Sequence, residues 1–218
     1  KPETTLASRC VVNICDCGLG EYGKILQLQQ ELLEKRRRNE IPNTVLIVEH
    51  PAVITLGAKQ SFNKLLISRE ELAQKDINIV EIRRGGGTTA HNPGQLVFYP
   101  IIHLQELGLG ISGYIRTLEA IGMELLEGLG LKSMRRKGFP GLWIERRKIA
   151  SIGVRISKFV SYHGMAINIQ NDLGIFEFIK PCGLDDVEMT SVLKEIGKRC
   201  EMDQVKAELS QLLIRHLS

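Results

Sequence analysis

The chain has 218 residues, 43% hydrophobic and 25% charged, with a formal net charge of +4, proportions that suit one globular domain with a real core. No apolar run approaches the roughly 18 residues that span a bilayer, and the opening KPETTLASRC lacks the apolar stretch of a signal peptide, so a soluble, cytoplasmic protein with no membrane partner is expected. Five cysteines with no CxxC pair argue against a disulfide framework and the common zinc patterns.

In RCVVNICDCG, Cys15 and Cys17 alternate around Asp16 as in a half-buried strand. The alternative, a soft-metal clip that includes Cys10, has no matching second cluster. From Glu21 to Arg38, Tyr22, Ile25, Leu26, Leu32 and Leu33 keep to one face, which predicts an amphipathic helix lying against a sheet. VLIVEH and AVITLG, divided by Pro51, read as two strands joined at a bend. Ser68 followed by Glu71 is a capping-box pattern for a short helix through Gln74. INIVEIR from Ile77 and QLVFYPII from Gln95 read as strands on either side of a glycine-rich loop.

A long helix is predicted from Gly113 to Leu129, with Ile115, Leu118, Gly122, Leu125 and Leu129 on one face and Gly130 stopping it. LWIE, KIASIGVRI and FVSYHGMAINI read as an antiparallel meander. The last helix, Asp203 to Leu217, carries Val205, Leu209, Leu212 and Leu213 inward, with Asp203 as its cap. Strands and helices alternate too irregularly for a doubly wound sheet, so the expected class is α+β, residues 1–218 forming a single domain with a mixed or antiparallel sheet flanked by helices.

The basic residues are bunched in EKRRRN, IRRG, MRRKG and ERRK, a pattern that favours an acidic partner, or else marks solvated turns and helix ends. Aromatic residues are only 5% and are not interleaved with these clusters, so no stacking platform for nucleic acid is present.

Four segments invite chemistry. In RRGGGTTAHNPGQ, Gly85, Gly87 and Ala90 formally match a dinucleotide fingerprint, but Pro93 and Gly94 interrupt the helix which that motif requires. Three glycines crowded with Thr88, Thr89, His91, Asn92 and Gln95 still suit a binding loop. Lys148 begins a strand followed by Ala150, Ser151 and Gly153, small residues that leave room beside the backbone; an exposed turn lysine is the plainer reading. His163 precedes Gly164, either as a strand histidine hydrogen-bonded in place or as part of a pocket. In FIKPCGLDD, Cys182 lies between Pro181 and Gly183, in a turn rather than on a packing face.

Taken together, RRGGGTTAHNPGQLVFYPI, GLWIERRKIASIGVRI, SYHGMAINI and FIKPCGLDDVEMTSV, in consistent order over roughly Val45 to Val192, resemble the lipoyl(octanoyl) transferase family, usually called LipB. The resemblance implies a fold of the biotin/lipoate-protein ligase catalytic-domain type. It also implies transfer of octanoyl, or lipoyl, from acyl carrier protein to a lysine of lipoyl domains, those of the 2-oxoacid dehydrogenase complexes and the glycine cleavage H protein. By resemblance Cys182 is the nucleophile that holds the acyl group as a thioester, and Lys148 is its acid/base partner. Arg84, Gly85, Gly86, Gly87, Thr88, Thr89, Ala90 and His91 then line the acyl site with Ser151, Ile152, Gly153, Gly164, Met165 and Ala166. The chain departs from the family pattern in one place: Ala90, His91 and Asn92 stand where the family usually has Tyr-His-Gly, a change that bears on the pocket wall and on chain-length preference.

The chemistry is intelligible on its own terms. A free thiol is only a few per cent thiolate at neutral pH, so a nucleophilic cysteine needs a neighbouring cation. At about 4 Å and an effective dielectric of about 20, a unit charge pair is worth roughly 4 kcal/mol, or up to about three pKa units before desolvation is subtracted. Lys148 would protonate the leaving thiol and later take a proton from the acceptor amine. No metal or cofactor is needed for either step. Two other readings compete: an ATP-dependent lipoate–protein ligase of the same fold, which needs no cysteine, and a non-catalytic binder of acidic protein or nucleic acid.

Overall fold

The computed structural model describes residues 11–181 and 187–218. In chain order the elements are β1 (Val12–Leu19), α1 (Tyr22–Arg37), β2 (Asn43–Glu49), β3 (Val53–Leu56), α2 (Arg69–Gln74), β4 (Asn78–Glu81), β5 (Thr89–His91), β6 (Gln95–Ile101), α3 (Ile111–Gly128), β7 (Met134–Arg136), β8 (Phe139–Ile144), β9 (Arg147–Ser157), β10 (Val160–Asn168), α4 (Val192–Ile196) and α5 (Met202–Leu217). Two sheets result: a seven-stranded sheet in the order β1-β2-β6-β10-β9-β8-β7, and a three-stranded one in the order β4-β3-β5. Both are mixed, because β1 runs parallel to β2 and β4 parallel to β3 while the remaining pairs are antiparallel. The α+β reading with mixed sheets therefore holds.

The apolar runs in β2 and β6 are nearly continuous because both faces of the large sheet are covered. Side chains alternate across a strand, so Val45, Ile47, Leu96 and Phe98 pack with Leu118, Leu125, Leu209 and Leu213 of α3 and α5. Leu46, Val48, Val97 and Tyr99 instead meet Ile25 and Leu33 of α1. A third cluster joins Ile54 and Leu56 of β3 to Leu72 of α2 and to Ile175 and Phe176. No described helix is long and apolar enough to cross a membrane.

Several local expectations are corrected. Glu201 caps α5 without a side-chain bond, and Asp203 lies inside the first turn, where its charge still complements the helix dipole. The glycine-rich stretch does not stay a loop: Thr89–His91 pairs antiparallel with β3. The next element along the chain is the strand β6 and not a helix, so the dinucleotide fingerprint has no helix N-terminus to use. The basic runs are also only partly solvated. Arg36 is buried, donating to Asn43 and Asn39 and pairing with Glu106; Arg84 is buried as well. By contrast the predicted capping box forms as read, with Ser68 Oγ accepting from the Glu71 amide and Glu71 accepting from the Ser68 amide.

Candidate active site

Two of the segments singled out in the sequence are register partners. In the β9–β10 ladder Ser151 faces Ala166, Ile152 faces Met165, and Gly153 faces Gly164. The glycine-rich loop lies along the same strand, the Gly85 amide donating to the Val154 carbonyl at 3.1 Å. Between them runs a narrow cleft with about 30 Å³ of free space, lined by Arg84, Gly85, Gly86, Thr89, His91, the two facing triplets, and also Tyr22, Val97, Tyr99 and His163.

The cleft exists because side chains are missing where backbones approach. A Cβ on Gly164 would stand 2.0 Å from the Phe98 carbonyl oxygen, and one on Gly153 would meet Arg84 Cδ at 2.9 Å and the Gly85 carbonyl oxygen at 3.0 Å. Gly153→Ala is therefore expected to push Arg84 and the glycine-rich loop off β9, at a cost of about 1–3 kcal/mol for overpacking. Urea denaturation of the variant beside the wild type measures it; an unchanged midpoint would show that the loop yields freely.

Three expected members do not face the cleft. Along β5 successive side chains alternate, so Thr89 and His91 line it while Ala90 turns into the small-sheet core beside Ile54 and Ile175. Ala90 and Asn92, the two residues that depart from the family pattern, thus have no place among the residues that line the cleft. Thr88 is structural, its Oγ1 accepting from the Lys64 amide at 3.0 Å. Gly87 lies instead on an outer groove that also contains Lys148.

The floor of the cleft is a polar network that sequence reasoning largely missed. His50 Nδ1 is 2.7 Å from the Gly20 carbonyl, which can only accept, so the proton sits on Nδ1 and Nε2 accepts from the Tyr99 hydroxyl at 2.7 Å. Gln95 Nε2 donates to Ala90 O and Asn168 Oδ1, so its Oε1 faces His91 Nδ1 at 2.7 Å and fixes that proton too. Tyr22 stacks on His91 with ring centroids 5.7 Å apart. Burial pushes His50 down to about 4 and His91 and His163 down to about 3, and pushes Tyr22 up to about 12. At neutral pH these rings carry no charge. The Arg84 guanidinium, tied to Thr55 and to the Gly85 carbonyl, supplies the floor's positive charge.

His163 adopts φ of +57°, and its amide donates to Gln29 Oε1 at 2.8 Å, while its Nδ1 meets no hydrogen-bond partner among the described residues. Both sequence readings thus apply in part: the histidine is held in its strand and lines the pocket. The signal that marked these residues was available. His50 and Tyr99 are polar groups inside runs otherwise apolar enough to be fully buried, and such groups require partners.

Lys148 is not an exposed turn lysine: it is 2% exposed, in β9. Its amide donates to the Glu188 carbonyl at 2.8 Å and its carbonyl accepts from the Thr190 amide at 2.9 Å. Its Nζ lies 5.4 Å from the centre of the Trp143 ring. Cys182, the predicted nucleophile, lies outside the described residues, and so does Cys10. On the described sides of that turn, the Lys180 amide donates to the Lys64 carbonyl at 3.1 Å, and Met189 bridges to Lys148. Cys15, Cys17 and Cys200 are free thiols, and among the described residues no cluster of three or more metal-ligating side chains occurs.

Comparison with known proteins agrees with this fold. Residues 21–214 match the family model described as the lipoyl protein ligase A/B catalytic domain. An octanoyltransferase of Syntrophobacter fumaroxidans is 39% identical over 90% of this chain and 86% of its own length. The mitochondrial octanoyltransferase LIP2 of Arabidopsis thaliana is 40% identical over 86% of this chain and 80% of its own. Among solved structures, the bi-partite lipoate protein ligase of Thermoplasma acidophilum superposes with a TM-score of 0.69 at 16% identity, covering 95% of this chain and 84% of that one. The biotin protein ligase of Aquifex aeolicus reaches 0.56 at 13%, covering 94% and 70%. At such identities the two structures speak to the fold alone.

Proposed function

The chain belongs to the octanoyltransferases of the lipoyl protein ligase A/B catalytic-domain family, and from that premise we propose how it performs the transfer. The Cys182 thiolate attacks the octanoyl thioester of acyl carrier protein; the carrier thiol leaves with a proton from Lys148, and the octanoyl group stays on sulfur as an enzyme thioester. The lysine amine of a lipoyl domain, in a 2-oxoacid dehydrogenase complex or the glycine cleavage H protein, then attacks that thioester. Lys148 takes the amine proton, the amide forms, and the thiolate is released. Residues 1–218 act as one catalytic domain, in the cytoplasm.

One observation carries the reading: a buried lysine whose backbone amide and carbonyl are hydrogen-bonded to Glu188 and Thr190, in the segment that follows Cys182 along the chain. The same lysine shares an outer groove with Gly85, Gly86, Ile152 and Gly153, all four of which also line the cleft. The cleft and the groove that contains Lys148 are thus neighbours across the glycine-rich loop and β9.

The test is intact mass spectrometry of the protein incubated with octanoyl-carrier protein in the absence of ATP. An octanoyl adduct that maps to Cys182, is lost in Cys182→Ser and is discharged by a lipoyl domain is the expected result. An adduct on Cys10, Cys15, Cys17 or Cys200, or a strict requirement for ATP, would overturn it.

A further inference from the structure

We propose that Asn168 is a positioning residue for the transfer: it sets where Lys148 stands by tying the floor of the cleft to the segment that holds the lysine backbone. The proposal rests on the octanoyl-transfer reading above. Asn168 is the last residue of β10, 1% exposed, and the register partner of Gln95 in β6. Its Nδ2 donates to the Thr190 carbonyl at 3.0 Å, and its Oδ1 accepts from Gln95 Nε2 at 2.9 Å and from Asn171 Nδ2 at 3.3 Å. Thr190, fully buried, in turn gives its amide to the Lys148 carbonyl.

These bonds run in one direction. A carbonyl only accepts, so the Thr190 oxygen requires the Asn168 amide nitrogen to face it, and Asn168 Oδ1 is left to face Gln95. Gln95 must then turn its nitrogen to Asn168 and its oxygen to His91. From His91, which lines the cleft, through Gln95, Asn168 and Thr190 to Lys148, each group donates to the next, an alignment in which neighbouring bonds strengthen one another. The plainer function of such a chain is to satisfy buried polar groups. What points beyond it is the place where the chain ends. In the β8–β9 ladder Leu142 faces Ala150 but Trp143 faces Lys148, so Ile149 is an extra residue, a bulge of the kind that re-aims a side chain. The aim of the lysine is therefore not set by β8 alone. The second restraint is Thr190, held at all three of its polar groups: its amide by Lys148, its carbonyl by Asn168, and its hydroxyl by Glu195, which also pairs with Arg147 next to the lysine. Of these anchors, Asn168 is the one that comes from the cleft.

The experiment introduces Asn168→Leu into the wild-type chain and into Lys148→Met, and follows single turnovers from octanoyl-carrier protein to one lipoyl domain by intact mass spectrometry, with thermal melting of each variant. Leucine fills a similar space and makes neither bond. In the chain that keeps its lysine, the rate constant at saturating donor is expected to fall about 10–100-fold, as a misplacement on the order of 1 Å would give, while the donor concentration for half-saturation changes by no more than about twofold. In Lys148→Met the same substitution should cost at most about twofold, because a residue that acts through the lysine then has nothing to position. If Asn168→Leu does not fold, Asn168→Asp carries both comparisons: it keeps the shape and the acceptor for Gln95, and an ionised carboxylate has no proton for the Thr190 carbonyl. Equal losses in the two backgrounds, or a wild-type rate in a folded Asn168 variant, would overturn the positioning role and leave octanoyl transfer intact. A wild-type rate in Lys148→Met, or no transfer by the wild-type chain, would overturn the underlying reading and this one with it.

Discussion

Replacing Lys148 with methionine is expected to leave a folded protein whose octanoyl transfer has fallen by roughly 10²–10⁴-fold, the range that a positioned proton donor and acceptor contributes. The fold should survive because the backbone bonds of this residue, to the Glu188 carbonyl and from the Thr190 amide, are kept in the variant. Its stem already packs on apolar surroundings, with Cε 3.0 Å from where a Cβ on Gly141 would stand and Nζ over the Trp143 ring. Lys148→Arg separates two roles. A guanidinium supplies a cation to lower a thiol pKa but neither gives up its proton nor takes another, so the arginine variant should form the octanoyl thioester slowly, the carrier thiol leaving as a thiolate, and fail to discharge it at the native rate. Following the two half-reactions by mass spectrometry, with thermal melting as a control on folding, measures both. Wild-type turnover in Lys148→Met would remove the lysine from the chemistry altogether.

That this lysine is buried is a tertiary fact, and its sequence environment hides it. ERRKIAS reads as a charged hairpin turn leading into a strand, whereas the folded chain pairs Lys148 with Met189, far along the chain, and lays its side chain against Trp143. Elements set by local rules were legible. The Ser68 and Glu71 capping box, the β9–β10 meander and the apolar periods of α1 and α5 each arise from spacings within a few residues. Elements set by distant partners were not. Thr89–His91 becomes a strand because β3 passes beside it, although its own neighbours are the glycines, proline and asparagine of a loop. Arg36 looked like part of a solvated basic run and is instead held by Asn43 and Glu106. The cleft itself was half legible. Its glycines and small residues were conspicuous, whereas Tyr22, His50 and Tyr99 disappeared into apolar runs, because periodicity reports burial and not what a buried polar group bonds to.

Those buried rings should also make the fold sensitive to acid in a window well above the carboxylate range. Burial holds His50 at about 4 and His91 and His163 at about 3 in the folded chain, against about 6.5 for an unfolded histidine. Above pH 6.5 both states are neutral and nothing is gained or lost. As pH falls below that value the unfolded chain takes up protons that the folded chain refuses, so stability declines, and the decline continues until the folded rings titrate near pH 3–4. With three such rings the slope near pH 5 approaches three protons, on the order of 4 kcal/mol per pH unit. Between pH 6.5 and 4 the loss sums to about 10 kcal/mol, so a domain in the lower half of the usual range of about 5–15 kcal/mol should unfold by roughly pH 4. Glu21 and Glu71, held low by backbone amides at helix starts, push in the same direction only below the ordinary carboxylate range. Urea denaturation at pH 7, 6 and 5 measures the slope, and His163→Asn, which keeps a polar group at that place in β10 without a titrating ring, should reduce it by about one proton. A stability that stays flat between pH 7 and 5 would mean that the rings take up protons inside the fold, and the neutral floor of the cleft would have to be abandoned.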